Sequence, residues 1–171
     1  MGYGLRVIIG MFLCLLVSCG QKGPQRPSQR KGEGVQVDTA QLALMNMNQQ
    51  LAESADEQLY RWMQTQTESY ALYEHGTWVT ILDAGEGDIL PGEECSVHMR
   101  VYSLTGKPYC DVDQTAHVGK YELPNAIDAN ITEWHHGASL KLAAPWYAAY
   151  GIQGTDQIPP YENVIIELDI R

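Results

Sequence analysis

Phenylalanine is almost missing from this chain. Its single copy, Phe12, lies near the start, so any later pocket must be built from other rings or from aliphatic side chains. Catalytic signatures are missing too. There is no Gly-x-Ser-x-Gly, no glycine-rich phosphate loop, no His-Glu-x-x-His and no Cys-x-x-Cys. That removes the usual serine-hydrolase, nucleotide-binding, zinc-protease and dithiol-redox readings. Positive charge is scarce, with 11 Lys and Arg against 21 Asp and Glu. An acidic chain is repelled by nucleic acid and by anionic lipid, so no nucleic-acid partner is expected. His135-His136 is the best metal candidate, but neighbouring helical side chains point about 100° apart and rarely share an ion. No metal or cofactor is expected.

Long apolar runs are also missing, apart from Val7 to Val17, which is too short to cross a bilayer. Arg6 precedes that run and Leu16-Val17-Ser18-Cys19 ends it. A charged start, an apolar core and small residues at a cut site describe a signal peptide over residues 1–18. The ending LVSC resembles the bacterial lipobox, which implies that Cys19 is lipidated and becomes the first mature residue. Several acyl chains there would hold the protein durably at a membrane. The expected location is the bacterial cell envelope, at the outer membrane facing the periplasm or the cell surface. Residues 19–37 follow, rich in Gly, Pro, Gln and basic residues. They cannot bury a core and read as a flexible tether.

Residues 38–67 read as a helix. Asp38 can cap it, with Gln41 three residues on. Leu44, Met47, Leu51, Ala55, Leu59 and Trp62 fall at spacings of three and four and form one apolar stripe. The stripe needs a surface to cover, either its own domain or a second copy of the chain.

From Thr77 the period changes. Trp78 to Leu82 and Cys95 to Tyr102 read as strands, with Leu104-Thr105-Gly106-Lys107 turning the second back toward Tyr109. Pro124-Asn125 opens a short helix with Ile127, Ile131 and Trp134 on one face, and Gly137 stops it. Ser139 to Ala144 is a strand. Pro145 to Tyr161 is a long loop, PWYAAYGIQGTDQIPPY, and an alternating strand from Val164 to Ile170 closes the chain. The fold class is α+β, an antiparallel sheet wrapped on a short helix. If Thr105-Gly106 is a two-residue turn, Cys110 faces Val101. Cys95 then lies on the order of 20 Å away, beyond disulfide reach.

The order and spacing of these segments resemble the FKBP-type peptidyl-prolyl isomerase domain, over residues 77–171. Gly85-Glu86-Gly87, Val97-His98, Gly106-Lys107 and Gly137 carry the resemblance. Ala149-Tyr150-Gly151 and Ile158-Pro159-Pro160 are its most specific parts. With the lipobox and the helix, the whole looks like the membrane-attached FKBP-like proteins of Bacteroidetes-type bacteria. Asp38-Thr39-Ala40 resembles the short O-glycosylation signal of such bacteria and reads equally as a plain helix cap.

The resemblance implies a shallow apolar pocket for proline-containing polypeptide segments. Tyr150 would bind a substrate carbonyl and Ile158 would form part of the rim, with Ala149 beside them. Tyr109 would take the place of a pocket aromatic, with Asp111 as the nearby carboxylate. Leu123 and Pro124 would lead to a floor at Ile127, and Met99 and Ile166 would line the pocket. Several of these depart from the family pattern. Ile127 replaces a floor tryptophan, Ile166 a last-strand aromatic and Met99 a tyrosine. Cys110 directly follows the hairpin aromatic, where the family has its aspartate. Two functions follow: a prolyl isomerase that helps fold exported proteins, or a non-catalytic FKBP-like binding or chaperone module of an envelope lipoprotein.

Overall fold

The structure is a computed structural model that describes residues 39–171. The signal segment, the tether, Cys19 and the Asp38 cap lie outside the described residues. The chain begins with helix α1 (Thr39–Met63) and a two-residue strand β1 (Ala71–Leu72). Strands β2 (Trp78–Asp83), β3 (Glu94–Ser103) and β4 (Pro108–His117) follow. A one-turn helix α2 (Asn125–Asp128) and a 3₁₀ turn (Ile131–Glu133) then lead to β5 (Ser139–Ala144) and β6 (Val164–Ile170). The six strands form one sheet in the order β1-β2-β5-β6-β3-β4, and every pairing is antiparallel.

Alternation along the strands sorts the sheet into two faces. On the inner face, Val97, Met99 and Val101 of β3 meet Leu140 and Leu142 of β5 and Val164, Ile166 and Leu168 of β6. These pack against Ile127, Ile131 and Trp134, which the short helical segment presents together. Each fully buried aliphatic side chain contributes about 1.5–3 kcal/mol. The expected α+β architecture is what the chain adopts.

Helix α1 covers part of the outer face. Leu59 packs against Ala143 of β5 and Ile165 of β6, flanked by Trp62 and Trp78. Only Ala55 and Leu59 of the helix are buried, so the stripe covers its own domain through its second half alone. The helix ends at Met63, within the segment 38–67. Tyr147 fastens the arrangement, because its hydroxyl donates to the Asp56 carboxylate across 91 residues of sequence.

The β3–β4 hairpin differs from the expected two-residue turn. Ser103 accepts from Gly106 N–H and donates to the Lys107 carbonyl, so the loop is Leu104-Thr105-Gly106, with Gly106 at φ +83°. A three-residue loop with glycine in the left-handed region is a common hairpin closure. The register then shifts: Tyr102 pairs with Pro108, but Val101 pairs with Cys110. Tyr109 is the extra residue of a β-bulge. The bulge restores the expected Val101–Cys110 pairing. Cys95 pairs with Ala116 at the far end, and both cysteines are free.

Candidate functional site

The long loop between β5 and β6 is braced by its own backbone. Ala149 N–H donates to the Pro145 carbonyl, Gly151 N–H to Trp146 and Gly154 N–H to Tyr150. Gly154 sits at φ +63°, where a Cβ would strike the Ile158 carbonyl and Pro159, so only glycine fits. The Thr155 hydroxyl accepts from Ile158 N–H at 3.0 Å and fixes the start of Ile158-Pro159-Pro160. At the other end, Asn163 accepts from Trp146 N–H at 3.0 Å. The rings of Trp146 and Tyr161 meet edge to face at 5.0 Å. Ala126 N–H of α2 donates to the Ala148 carbonyl at 2.7 Å, so loop and helix form one unit.

That unit brings most of the expected residues together. Met99, Leu123, Ile127, Ile158 and Ile166 belong to a single buried cluster, with Tyr109, Cys110, Ala149 and Tyr150 half-buried against it. Pro124 stands at the entry to α2. Burial pushes the Tyr150 phenol well above its ordinary range, and the neighbouring Cys110 thiol adds to the shift. The Tyr150 hydroxyl nevertheless has no hydrogen-bond partner among the described residues. The Tyr109 hydroxyl is occupied, donating to Glu162 at 2.7 Å. Burial first, and then Glu162, push its pKa up to about 12.

Two findings differ from the expected pocket. The first concerns its floor. Ile127 and Ile166 carry no exposed surface, and Ile158 and Met99 carry 1% and 2%. The aliphatic floor is thus covered by the protein's own side chains, and the accessible part of the site is a shelf formed by the half-buried residues. A cleft of about 450 Å³ opens on the outer face, between Trp62, Tyr102, Leu104, Lys141 and Ile165.

The second concerns Asp111. Its side chain is 68% exposed and lies 3.3 Å from His98 Nε2, on the opposite face of β4 from the shelf. Strand alternation explains this: Cys110 pairs with core-facing Val101, and Asp111 pairs with Arg100 on the other face. The bulge sets Tyr109 on the same side as Cys110. Cys110 is the residue that stands beside Tyr150. Its thiol pKa is raised by burial and then by Asp111. The signal for Cys110 was its place directly after the hairpin aromatic.

The histidines hold no metal cluster among the described residues. His136 Nε2 faces Glu93 at 3.0 Å and His135 Nδ1 faces Asp88 at 3.6 Å, so the two rings turn to different carboxylates.

No family model matches the chain, and no curated protein matches it. Solved structures do. AtFKBP13 aligns at 18% identity and a TM-score of 0.53, covering 59% of this chain and 95% of that one. A peptidyl-prolyl cis-trans isomerase from Pseudomonas syringae pv. tomato aligns at 19% and 0.57, covering 70% and 92%. FkpA from Escherichia coli aligns at 16% and 0.58, covering 77% of this chain and 63% of its own length. At such identities the likeness shows the fold, and the fold is that of the FKBP-type isomerases.

Proposed function

We propose that this domain binds proline-containing polypeptide segments on the Tyr150 shelf and isomerises the X-Pro bond held there. The observation that carries the reading is the Tyr150 hydroxyl, half-buried against an apolar cluster yet without a partner among the described residues. A donor placed in that way suits a peptide carbonyl, since a buried polar group gains most from a partner it otherwise lacks.

The reaction needs no nucleophile. Resonance gives the peptide C–N bond double-bond character and a rotational barrier of about 18–20 kcal/mol. The twisted transition state has lost that resonance and is less polar. An apolar surface that removes water from the imide favours the twisted form, and a fixed hydrogen bond to the carbonyl holds it. Each tenfold acceleration requires about 1.4 kcal/mol of such selective stabilisation.

A second reading, binding without catalysis, is favoured by two specific observations. The floor is closed over Ile127 and Ile166, and Cys110 occupies the position beside Tyr150 while Asp111 turns away. A proline ring would rest on the shelf without being enclosed. The test is a cis-to-trans conversion assay on an apolar-Pro peptide, run beside a binding titration of the same peptide. Acceleration supports the isomerase; saturable binding at an unchanged rate supports the binding module. Neither effect, in a protein with an intact fold, rejects the shelf as a peptide site.

The cellular setting belongs to the same proposal. A signal peptide ending at Ser18, lipidation of Cys19 and the tether at 19–37 would place the domain at the bacterial envelope. Its clients there would be exported chains. Mass spectrometry of the native protein checks the acyl modification and the processed start, and reads Thr39 for a glycan.

A further inference from the structure

Strand β4 is the last strand of the sheet, and it starts at the shelf, with Tyr109 and Cys110. Bonds on either side fix which of its backbone groups face outward. The Ser96 carbonyl accepts from Arg171 N–H, directly after β6, so Ser96 turns its backbone away from β4. Thr115 pairs with Ser96, and its own N–H and C=O therefore turn away from β3. His117 agrees with this parity. Its N–H donates to the Glu122 carboxylate at 2.8 Å, and its carbonyl accepts from Lys120 N–H. The β3–β4 register is unbroken from Glu94 to Val101, so the period of two gives Asp113 and Asp111 the same orientation. The loop that carries Glu122 closes the edge only at its far end. From Asp111 to Thr115 no strand among the described residues lies against it.

An open edge is a template for another strand. A second copy of this edge fits poorly, because antiparallel self-pairing would bring the carboxylates of the two edges together. The side chains of Asp111 and Asp113 are 68% and 67% exposed. Arg171 answers Asp113 at 2.9 Å, while Asp111 faces only His98, at 3.3 Å. The edge therefore suits a strand that brings a basic residue to Asp111. On the shelf side, Val112 is 40% exposed and offers an apolar contact two residues beyond Cys110.

We infer that a proline-containing segment seated on the Tyr150 shelf, the site proposed above, continues along β4 as an added edge strand. The register suits proline. Cys110 turns its backbone to β3, so a peptide residue opposite it turns its nitrogen to solvent, where a missing N–H costs nothing. The next peptide residue points to the outer face beside Asp111, and the one after it points back toward Val112. The preferred segment thus carries a basic residue next to its proline and an apolar residue one further on. Residues at odd offsets from the proline exchange hydrogen bonds with Asp111, Asp113 and Thr115. Those at even offsets do not.

Backbone N-methylation in the peptide tests this register on the full-length protein. The probe is a blocked nonapeptide with a central Lys-Pro-Lys and valine at the remaining positions. It is expected to bind at least about tenfold more tightly than Lys-Pro-Lys alone. N-methyl groups at odd offsets should abolish that gain, and those at even offsets should leave it. Asp113→Pro removes one outward N–H at an edge position that tolerates proline and should weaken the nonapeptide alone. Asp113→Asn keeps the N–H and should not. Hydrogen exchange at Asp111, Asp113 and Thr115 should slow when the nonapeptide is added. Equal affinity of the long and short peptides, or equal effects of odd and even N-methylation, overturns the added strand and leaves the shelf standing. Slow exchange at these amides before any peptide is added also overturns it, since the edge is then already filled. Protection of the three amides without any shift at Tyr150 keeps the strand and rejects the shelf.

Discussion

Cys110 and Asp111, neighbours in sequence, stand on opposite faces of β4. Ordinary strand alternation separates them, and the bulge sets Tyr109 on Cys110's side. Cys110 packs against the core beside Tyr150, and Asp111 meets His98 on the outer face. A thiol therefore occupies the position where the isomerase resemblance implies a carboxylate.

This placement makes the thiol a probe of the shelf. Alkylation with iodoacetamide is expected at Cys110 and not at Cys95, which is buried. Burial raises the Cys110 pKa, so the rate should be slow at neutral pH and rise about tenfold per pH unit until the thiol ionises. The modified protein should lose peptide binding. Unchanged binding after complete alkylation at Cys110 would place the peptide elsewhere.

Tyr150→Phe removes the unpartnered hydroxyl and leaves the ring. A hydrogen bond to a peptide carbonyl contributes about 0.5–1.5 kcal/mol net, so peptide affinity should fall roughly two- to twelvefold. Thermal stability should hold, because the hydroxyl has no partner among the described residues. An equal affinity in the variant would remove this group from the site.

The attachment of α1 rests on Leu59 and on the Tyr147–Asp56 hydrogen bond. Leu59 is fully buried, and Leu59→Ala should cost about 2–5 kcal/mol. Asp56→Ala should cost about 1–3 kcal/mol by leaving the half-buried phenol without its acceptor. Urea unfolding read by circular dichroism gives both values. Costs below about 0.5 kcal/mol for each would mean that the helix does not contribute to the fold.

Alkaline pH should weaken the fold through its tyrosines. Burial, joined by nearby carboxylates, pushes Tyr70 and Tyr109 up to about 12, and Tyr147 and Tyr150 are raised as well. The neutral phenols are favoured in the folded state. Their contribution is complete below the ordinary phenol value of about 10 and is lost as pH rises from there through about 12. Urea midpoints at pH 8, 10 and 11.5 should decline over that interval. A midpoint that holds or rises would contradict the sign.

Much of this was legible in the sequence because apolar residues recur at alternate positions along the strands. Leu140, Leu142 and Ala144, and then Val164 to Ile170, announce strands that the structure places side by side. The loop's glycines and prolines announce its turns. Other features left no periodic trace. The two residues of β1 are too few to show a period. β4 runs on to His117, but it is an edge strand whose open side tolerates Asp, Gln and Thr, so its alternation is faint. The bulge itself left no trace: it sets Tyr109 on the same side as Cys110 without altering the Val101–Cys110 register that the sequence implied. The stripe on α1 was visible, but periodicity alone does not reveal that the helix outruns the surface it covers.

Nuclear magnetic resonance tests the central claim most directly, as a titration of the isotope-labelled protein with an apolar-Pro peptide. The account predicts saturable shifts centred on Tyr109, Cys110, Ala149, Tyr150 and Ile158. Shifts centred on the outer cleft at Trp62, Tyr102 and Lys141, or none at millimolar peptide, would contradict it.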